Sequence, residues 1–310
     1  MSPSSPMRIG SQAVVRGDGL ATARAWVALV KPRITLMVVF VAFIGGLLAA
    51  GPDADLGLVA AAALCVGLTA AGAGVFNQVI ERDLDALMRR TMGRPLVTGR
   101  VRVRDAILFG AALTIVGVFG LASEFGLLSA LLALATLLAY TLVYTPLKLH
   151  SSFNTAVGAI PGAMPPLIGF VALAGEPGPW GWMLFAVLFV WQFPHFLAIA
   201  WLYRDDYRRA GMKMLPALPG SDGIAGRQAL LYALALLPVS LLPGVRGDAG
   251  ITYSVGAVVL GLAYVGAAGA FALRETPARA RAVLLTSLAY VPLLFSLVLF
   301  DPVVRRVLDS

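Results

Sequence analysis

The sequence predicts an all-α polytopic membrane protein, nine transmembrane helices bundled around a central cavity. Three observations carry that expectation. Of 310 residues, 59% are hydrophobic and only 13% are charged, with a mean hydropathy of +0.86. A soluble globular chain carries about 25% charged residues. Apolar runs near the roughly 20 residues that cross a bilayer recur along the whole chain, and a chain in lipid satisfies its backbone by forming helices. The basic residues are sorted to one side of the resulting loops.

The spans are read in order at 34–51, 57–79, 105–123, 125–145, 153–174, 179–201, 227–245, 250–273 and 281–300. The first ends at Gly51-Pro52, a turn chemistry. The second leads into a strongly charged loop. The third and fourth are parted at Glu124, and Pro146 is expected to close the fourth. The fifth contains Pro161, Pro165 and Pro166, which should kink it and loosen its backbone pairing. Turn residues at Gly175–Pro179 and Gly244–Gly250 separate the fifth from the sixth and the seventh from the eighth. Domain organisation follows: a polar, partly disordered tail over 1–28, one transmembrane domain over 29–301, and a short tail over 302–310. Long charged loops follow the second and sixth spans. That layout suggests two pseudo-repeated four-helix halves plus a last helix.

Arg outnumbers Lys by 21 to 3. With an odd span count, 21 of these 24 cations fall on one side, and only Arg246, Arg305 and Arg306 on the other. The positive-inside rule then puts the N-terminus in the cytoplasm and the C-terminus outside. The same distribution removes nucleic acid as the explanation of the net charge of +8, since the cations lie in short loops between spans. No signal peptide with a cleavage site is visible. The Arg-, Ala- and Gly-rich usage suggests a bacterial inner membrane, or the mitochondrial inner membrane if the source is eukaryotic. The single cysteine, Cys65, can make no internal disulfide and reads as a packing residue.

Chemistry concentrates in the stretch from Asn77 to Pro95. Asn77, Glu81 and Asp85 are spaced i, i+4, i+8 and share one helix face. Ionisable groups at the mouth of a membrane helix are costly and suggest a functional site. A row of hard oxygen ligands suits Mg²⁺, which usually arrives with substrate phosphates. Arg82, Arg89, Arg90 and Arg94 could hold those phosphates. Asp83 is off the common face, as a partner for Arg82 or Arg90 or simply as a solvated group. Four spans later a second cluster runs from His195 through Tyr203, Asp205, Asp206 and Tyr207 to Arg209. Two facing carboxylate sets could hold metal ions bridging one diphosphate. Metal and basic side chains would then neutralise the leaving group of an allylic diphosphate, while apolar helices shelter the carbocation and its isoprenoid tail. The alternative for each cluster is a solvated helix cap that sets topology. An ion-coupled transporter would instead place its charges near the bilayer midplane, not at one interface.

These residues resemble the UbiA superfamily of intramembrane prenyltransferases, and within it the branch that prenylates heme. The matching segments are Leu29 to Ile34, Asn77 to Arg100, Tyr144 to Lys148, Asn154 with Gly158 to Gly169, and Trp191-Gln192-Phe193-Pro194-His195-Phe196 through Tyr203-Arg204-Asp205-Asp206-Tyr207 to Pro216. The resemblance implies nine helices around a cavity, farnesyl diphosphate as donor and heme b as acceptor. Heme O and diphosphate would be the products, supplied to heme-copper oxidase assembly. It also implies a downstream heme-modifying enzyme or oxidase assembly proteins as partners. A quinone-ring or chlorophyll-like acceptor is the alternative within the superfamily. By resemblance Asn77, Glu81 and Asp85 map onto the first metal–diphosphate motif, and Asp205 and Asp206 onto the second. Asp206 is taken as a metal ligand there, although the adjacent Asp pair departs from the usual spacing of four. His195 would contact heme iron, act as a base on the hydroxylating water, or hydrogen-bond to a neighbouring helix. Lys148 would reach the diphosphate or a heme propionate, or serve as a topology signal. Tyr144, Tyr203 and Tyr207 would line the substrate site or sit as interfacial belt residues. His150 reads as a solvated loop residue.

Overall fold

The computed structural model describes residues 19–51 and 54–301. Among them, nine helical spans are long and apolar enough to cross a membrane, and no strand occurs. A short helix α1 (Gly19–Leu29) precedes α2 (Pro32–Ala50) and α3 (Leu56–Ile80), which continues almost directly into α4 (Arg82–Asp85). Next come α5 (Val103–Glu124), α6 (Leu127–Leu138), a π-helical segment (Ala139–Tyr144) and α7 (Thr145–His150). The second half holds α8 (Asn154–Ala174), α9 (Pro179–Leu202), α10 (Arg204–Arg209), α11 (Ile224–Arg246), α12 (Ile251–Leu273) and α13 (Pro277–Phe300). Of the tail assigned to residues 1–28, residues 19–28 are helical and 1–18 lie outside the described residues. The tail assigned to 302–310, with Arg305 and Arg306, lies outside them as well.

The helix ends have local causes. Asp55 caps α3, accepting from the Gly57 and Leu58 backbone N–H groups at 2.8 and 3.3 Å. Gly175 closes α8 at φ 79°, a left-handed conformation that glycine adopts without strain. Span nine begins at Pro277 rather than at 281, because Thr276 caps the helix and proline suits its first position.

The fourth span differs from expectation. It does not stop at Pro146 but continues to His150. Residues 139–144 widen to π geometry, in which the Thr145 N–H reaches the Tyr140 carbonyl five residues back. The Thr145 hydroxyl donates to that same carbonyl at 2.8 Å. Pro146 falls in the first turn of α7, where a missing N–H costs least, and the wide turn relieves the clash of its ring with the preceding helix.

Two apolar cores hold the bundle. Leu121, Val66, Ala133 and Ile168 pack α3, α5, α6 and α8 with α2. Trp191, Leu236, Tyr264 and Phe295 pack α9, α11, α12 and α13. Helices in lipid associate through close van der Waals contact, which small residues permit. Gly45 of α2 lies against the Pro166 carbonyl of α8, and Gly169 of α8 against the Ala42 carbonyl of α2, so a Cβ at either would collide with backbone. Gly117 of α5 meets the Cys65 carbonyl of α3 in the same way. The N-terminus of α2 and the C-terminal ends of α3, α7 and α9 converge at one end of the bundle, where the site lies.

Candidate active site

A chamber of about 670 Å³ opens at that end. Its wall carries Asn77, Glu81, Asp85, Arg90, Arg94, Tyr144, Lys148, His195 and Tyr207 from the expected set. The first motif spans the α3–α4 junction at Glu81, and i to i+4 bonds bridge it: the Glu81 N–H bonds to the Asn77 carbonyl at 2.9 Å, and the Asp85 N–H to the Glu81 carbonyl at 2.8 Å. Asn77, Glu81 and Asp85 consequently share a face, and all three are buried, at 2, 5 and 1% exposure.

Each of these three side chains has one oxygen on a basic side chain. The Lys31 ammonium donates to Asn77 Oδ1 at 2.8 Å. Lys148 Nζ pairs with Glu81 Oε1 at 2.7 Å and lies 4.6 Å from the centre of the Tyr144 ring. Arg94 pairs with Asp85 Oδ2. Asn77 Nδ2 in turn donates to Thr145 Oγ1 at 3.2 Å, so the π segment fixes the carboxamide's orientation. Burial pushes the Asp85 carboxyl above its usual range, against the pull of Arg94. The Lys31 ammonium is pushed down to about 7, first by burial and then by the nearby Arg94 and Lys148 charges.

Lys31 is the residue that sequence reasoning missed. It stands at φ 49°, ψ 65°, a left-handed conformation, immediately before Pro32. Among the described residues it is the one non-glycine with positive φ. Such strain costs about 1–3 kcal/mol and persists where surrounding contacts impose it. Here Gln78 Nε2 holds the end of α1 through the Leu29 carbonyl at 2.7 Å, and Lys31 itself is drawn into the chamber by Asn77. The available signal was the Lys31-Pro32 dipeptide at the mouth of the first span.

The second cluster is placed differently from the facing arrangement expected. Asp205 is exposed and pairs with Arg208 at 3.0 Å. Asp206 is buried, but it does not line the chamber. Its Oδ1 pairs with Arg209, and its Oδ2 accepts the Arg90 backbone N–H at 3.2 Å. The Arg90 guanidinium lies 4.9 Å from the Tyr203 ring centre and donates to the Tyr207 hydroxyl at 3.3 Å. The Asp206–Tyr207 segment thus fastens the loop that carries Arg90, and burial raises the Tyr207 hydroxyl above its ordinary value. Arg82 is exposed beside Asp83, and Arg89 is exposed.

His195 lines the chamber one stacking distance from Trp191, with ring centres 4.9 Å apart. Ser287 of α13 was not foreseen. Its hydroxyl donates to the Leu284 carbonyl at 2.6 Å and lies 2.7 Å from His195 Nδ1. A hydroxyl has one hydrogen. In the arrangement where that hydrogen goes to the carbonyl, Nδ1 is the donor and the Nε2 lone pair is left free; in the other tautomer the hydroxyl donates to Nδ1.

The donor set can be weighed against a cation. No group of three or more His, Cys, Asp or Glu side chains gathers among the described residues. The wall offers two carboxylates, Glu81 and Asp85, and two carboxamides, Asn77 and Gln78, and Asp85 Oδ1 is a buried acceptor with no hydrogen-bond partner. That sparse set fits Mg²⁺, which keeps waters and takes one or two carboxylates together with substrate phosphates. Below the chamber, and sharing Lys31, Ile34 and Tyr140 with it, lies a second cavity of about 150 Å³ with an almost wholly apolar lining.

The chain is similar to known proteins in sequence and in fold. The family model described as the UbiA prenyltransferase family matches residues 38–295. The chain is 44% identical over 287 residues to the protoheme IX farnesyltransferase of Solibacter usitatus, covering 90% of this chain and 98% of that one. Its fold is similar to a structure of digeranylgeranylglyceryl phosphate synthase, with a TM-score of 0.75 at 16% identity, covering 92% of this chain and 99% of that one. It is also similar to a UbiA homologue from Archaeoglobus fulgidus bound to GPP and Mg²⁺, with a TM-score of 0.65 at 18% identity, covering 88% and 99%.

Proposed function

The chain belongs to the UbiA prenyltransferase family, and from that premise we propose that it transfers the farnesyl group of farnesyl diphosphate to a vinyl group of heme b. The products are heme O and diphosphate, for heme-copper oxidase assembly. The observation that carries this is the junction of a chamber of buried oxygens and cations with an apolar cavity, in a chain 44% identical to a protoheme IX farnesyltransferase.

Asn77, Glu81 and Asp85 are the residues that would hold Mg²⁺. Bound there, the ion would neutralise the diphosphate as a Lewis acid. Asp205 and Asp206 are left out of that set, because neither lines the chamber: Asp205 is exposed, and Asp206 is turned to Arg209 and the Arg90 backbone. Lys31, Arg90, Arg94 and Lys148 receive the diphosphate oxygens. In doing so they exchange the partners they hold in the free protein, so that buried charges stay compensated. The C1–O bond of the donor breaks with its electron pair leaving on diphosphate. The vinyl π pair forms the new C–C bond. The cation left beside the porphyrin ring takes the oxygen of water, and the proton of that water goes to a base. His195 meets the heme from the chamber wall through Nε2, as an iron contact or as that base. Lys148, Tyr144 and Tyr207 line the chamber, and Tyr203, outside its lining, packs its ring against Arg90. The chamber end faces the cytoplasm of a bacterial inner membrane, where the basic loops belong. Heme O then passes to a heme-modifying enzyme or an oxidase assembly factor.

The test is to incubate the purified protein in detergent with heme b, farnesyl diphosphate and Mg²⁺ and to seek the farnesylated, hydrated heme by mass spectrometry. Absence of that product from folded, heme-binding protein would refute the assignment.

A further inference from the structure

The apolar cavity below the chamber has a floor. Lys31 and Tyr140 border its upper end, shared with the chamber. Its lower end is made by Val38, Val66, Ala133 and Ile168. Those four also belong to the packed core that contains Ala62, Ala63, Leu121 and Ala130, so the space ends on close-packed side chains. Three threonines line the walls, yet each hydroxyl is turned to a nearby backbone carbonyl: Thr35 to Val30 in the turn before α2 at 2.6 Å, Thr69 to Cys65 at 3.0 Å and Thr136 to Leu132 at 2.6 Å. Their methyl groups are what an occupant meets. The lining is that of a hydrocarbon site.

Its depth can be measured along α3. From Gly74 at the top to Val66 at the bottom is eight residues, about 12 Å at 1.5 Å per residue. An isoprene unit advances a chain by four carbon–carbon bonds of about 1.5 Å each, roughly 5 Å once zigzagged. The cavity therefore holds a little over two units. One further unit, carrying the reactive carbon, must stay in the chamber to meet the acceptor.

Resting on the farnesyl-transfer reading, we infer that Val66, Ala133 and Ile168 form a ruler that fixes the donor at three isoprene units. A fourth unit meets the floor. A chain of two units leaves the lower cavity empty and loses the burial that the third would gain.

Two substitutions move the floor in opposite directions. Ile168→Ala deepens the cavity, and Ala133→Leu fills it. The measurement is kcat/KM for geranyl, farnesyl and geranylgeranyl diphosphate with heme b, on variants whose thermal unfolding in detergent shows them folded. Ile168→Ala is expected to raise the geranylgeranyl-to-farnesyl ratio by about tenfold, the effect of one or two methylenes buried or excluded. Ala133→Leu is expected to raise the geranyl-to-farnesyl ratio by a similar factor. Donor ratios unchanged from the parent protein in a folded variant overturn the ruler while leaving farnesyl transfer standing. No prenylated heme from the parent protein with any of the three donors overturns the farnesyl-transfer reading itself.

Discussion

Replacing Lys148 by methionine isolates the most consequential charge pair in the chamber. Lys148 Nζ and Glu81 Oε1 are 2.7 Å apart, with side chains 13% and 6% exposed. At an effective dielectric of about 20 two unit charges at that distance attract by roughly 6 kcal/mol, set against the cost of desolvating both. The net worth of such a pair is small. Removing one partner is different, because Glu81 then stays buried and uncompensated, and that costs about 3–5 kcal/mol. Loss of the ammonium from its position 4.6 Å from the Tyr144 ring centre adds about 0.5–1 kcal/mol. Lys148→Met is thus expected to destabilise the protein by about 3.5–6 kcal/mol in reversible denaturant unfolding in mixed micelles. Adding Glu81→Gln should return most of that loss, since no charge is left stranded. A loss below about 1 kcal/mol for Lys148→Met, the range of a solvated surface pair, would refute the buried pair. So would a double variant less stable than the single one.

Three further outcomes follow from the site. Asp85→Ala should lower turnover by at least about 100-fold, as removal of a group that stabilises developing charge does, while heme b binding persists; turnover near the parent rate, in parallel with a titration of Mg²⁺ against a chelator, would reject Asp85 as a metal ligand. Ser287→Ala removes the hydroxyl 2.7 Å from His195 Nδ1 and should alter the absorption spectrum of bound heme by releasing the imidazole; an unchanged spectrum and heme affinity would separate His195 from the heme. Gly158→Ala would put a Cβ into the Tyr144 ring. It should cost about 1–3 kcal/mol in thermal unfolding and weaken farnesyl diphosphate binding by displacing the ring beside Lys148. Full retention of both would show that the ring has room to move.

The spans were legible because a bilayer imposes one length and one polarity on every crossing helix, and neither depends on what the helices do to each other. The misplaced break at Pro146 shows where that logic stops. Proline excludes an α-helical hydrogen bond, but it does not exclude a π turn, and only the neighbouring Thr145 and Asn77 contacts reveal why one forms. The first motif was legible because α3 and α4 follow one another with only Glu81 between them, so helical spacing still sets the common face. Lys31, Ser287 and Asp206 obey no such rule. Lys31 reaches Asn77 across 46 positions and Ser287 reaches His195 across 92, so their roles depend on how α2 and α13 pack against α3 and α9. Asp206 has the composition of a ligand and the position of a clamp, because Arg209 one turn on and the Arg90 backbone 116 positions earlier occupy both of its oxygens. A carboxylate near a site becomes a ligand only if its neighbours leave it a free oxygen. Asp85 Oδ1 has that freedom among the buried side chains described, and it belongs to the motif whose face was readable from spacing.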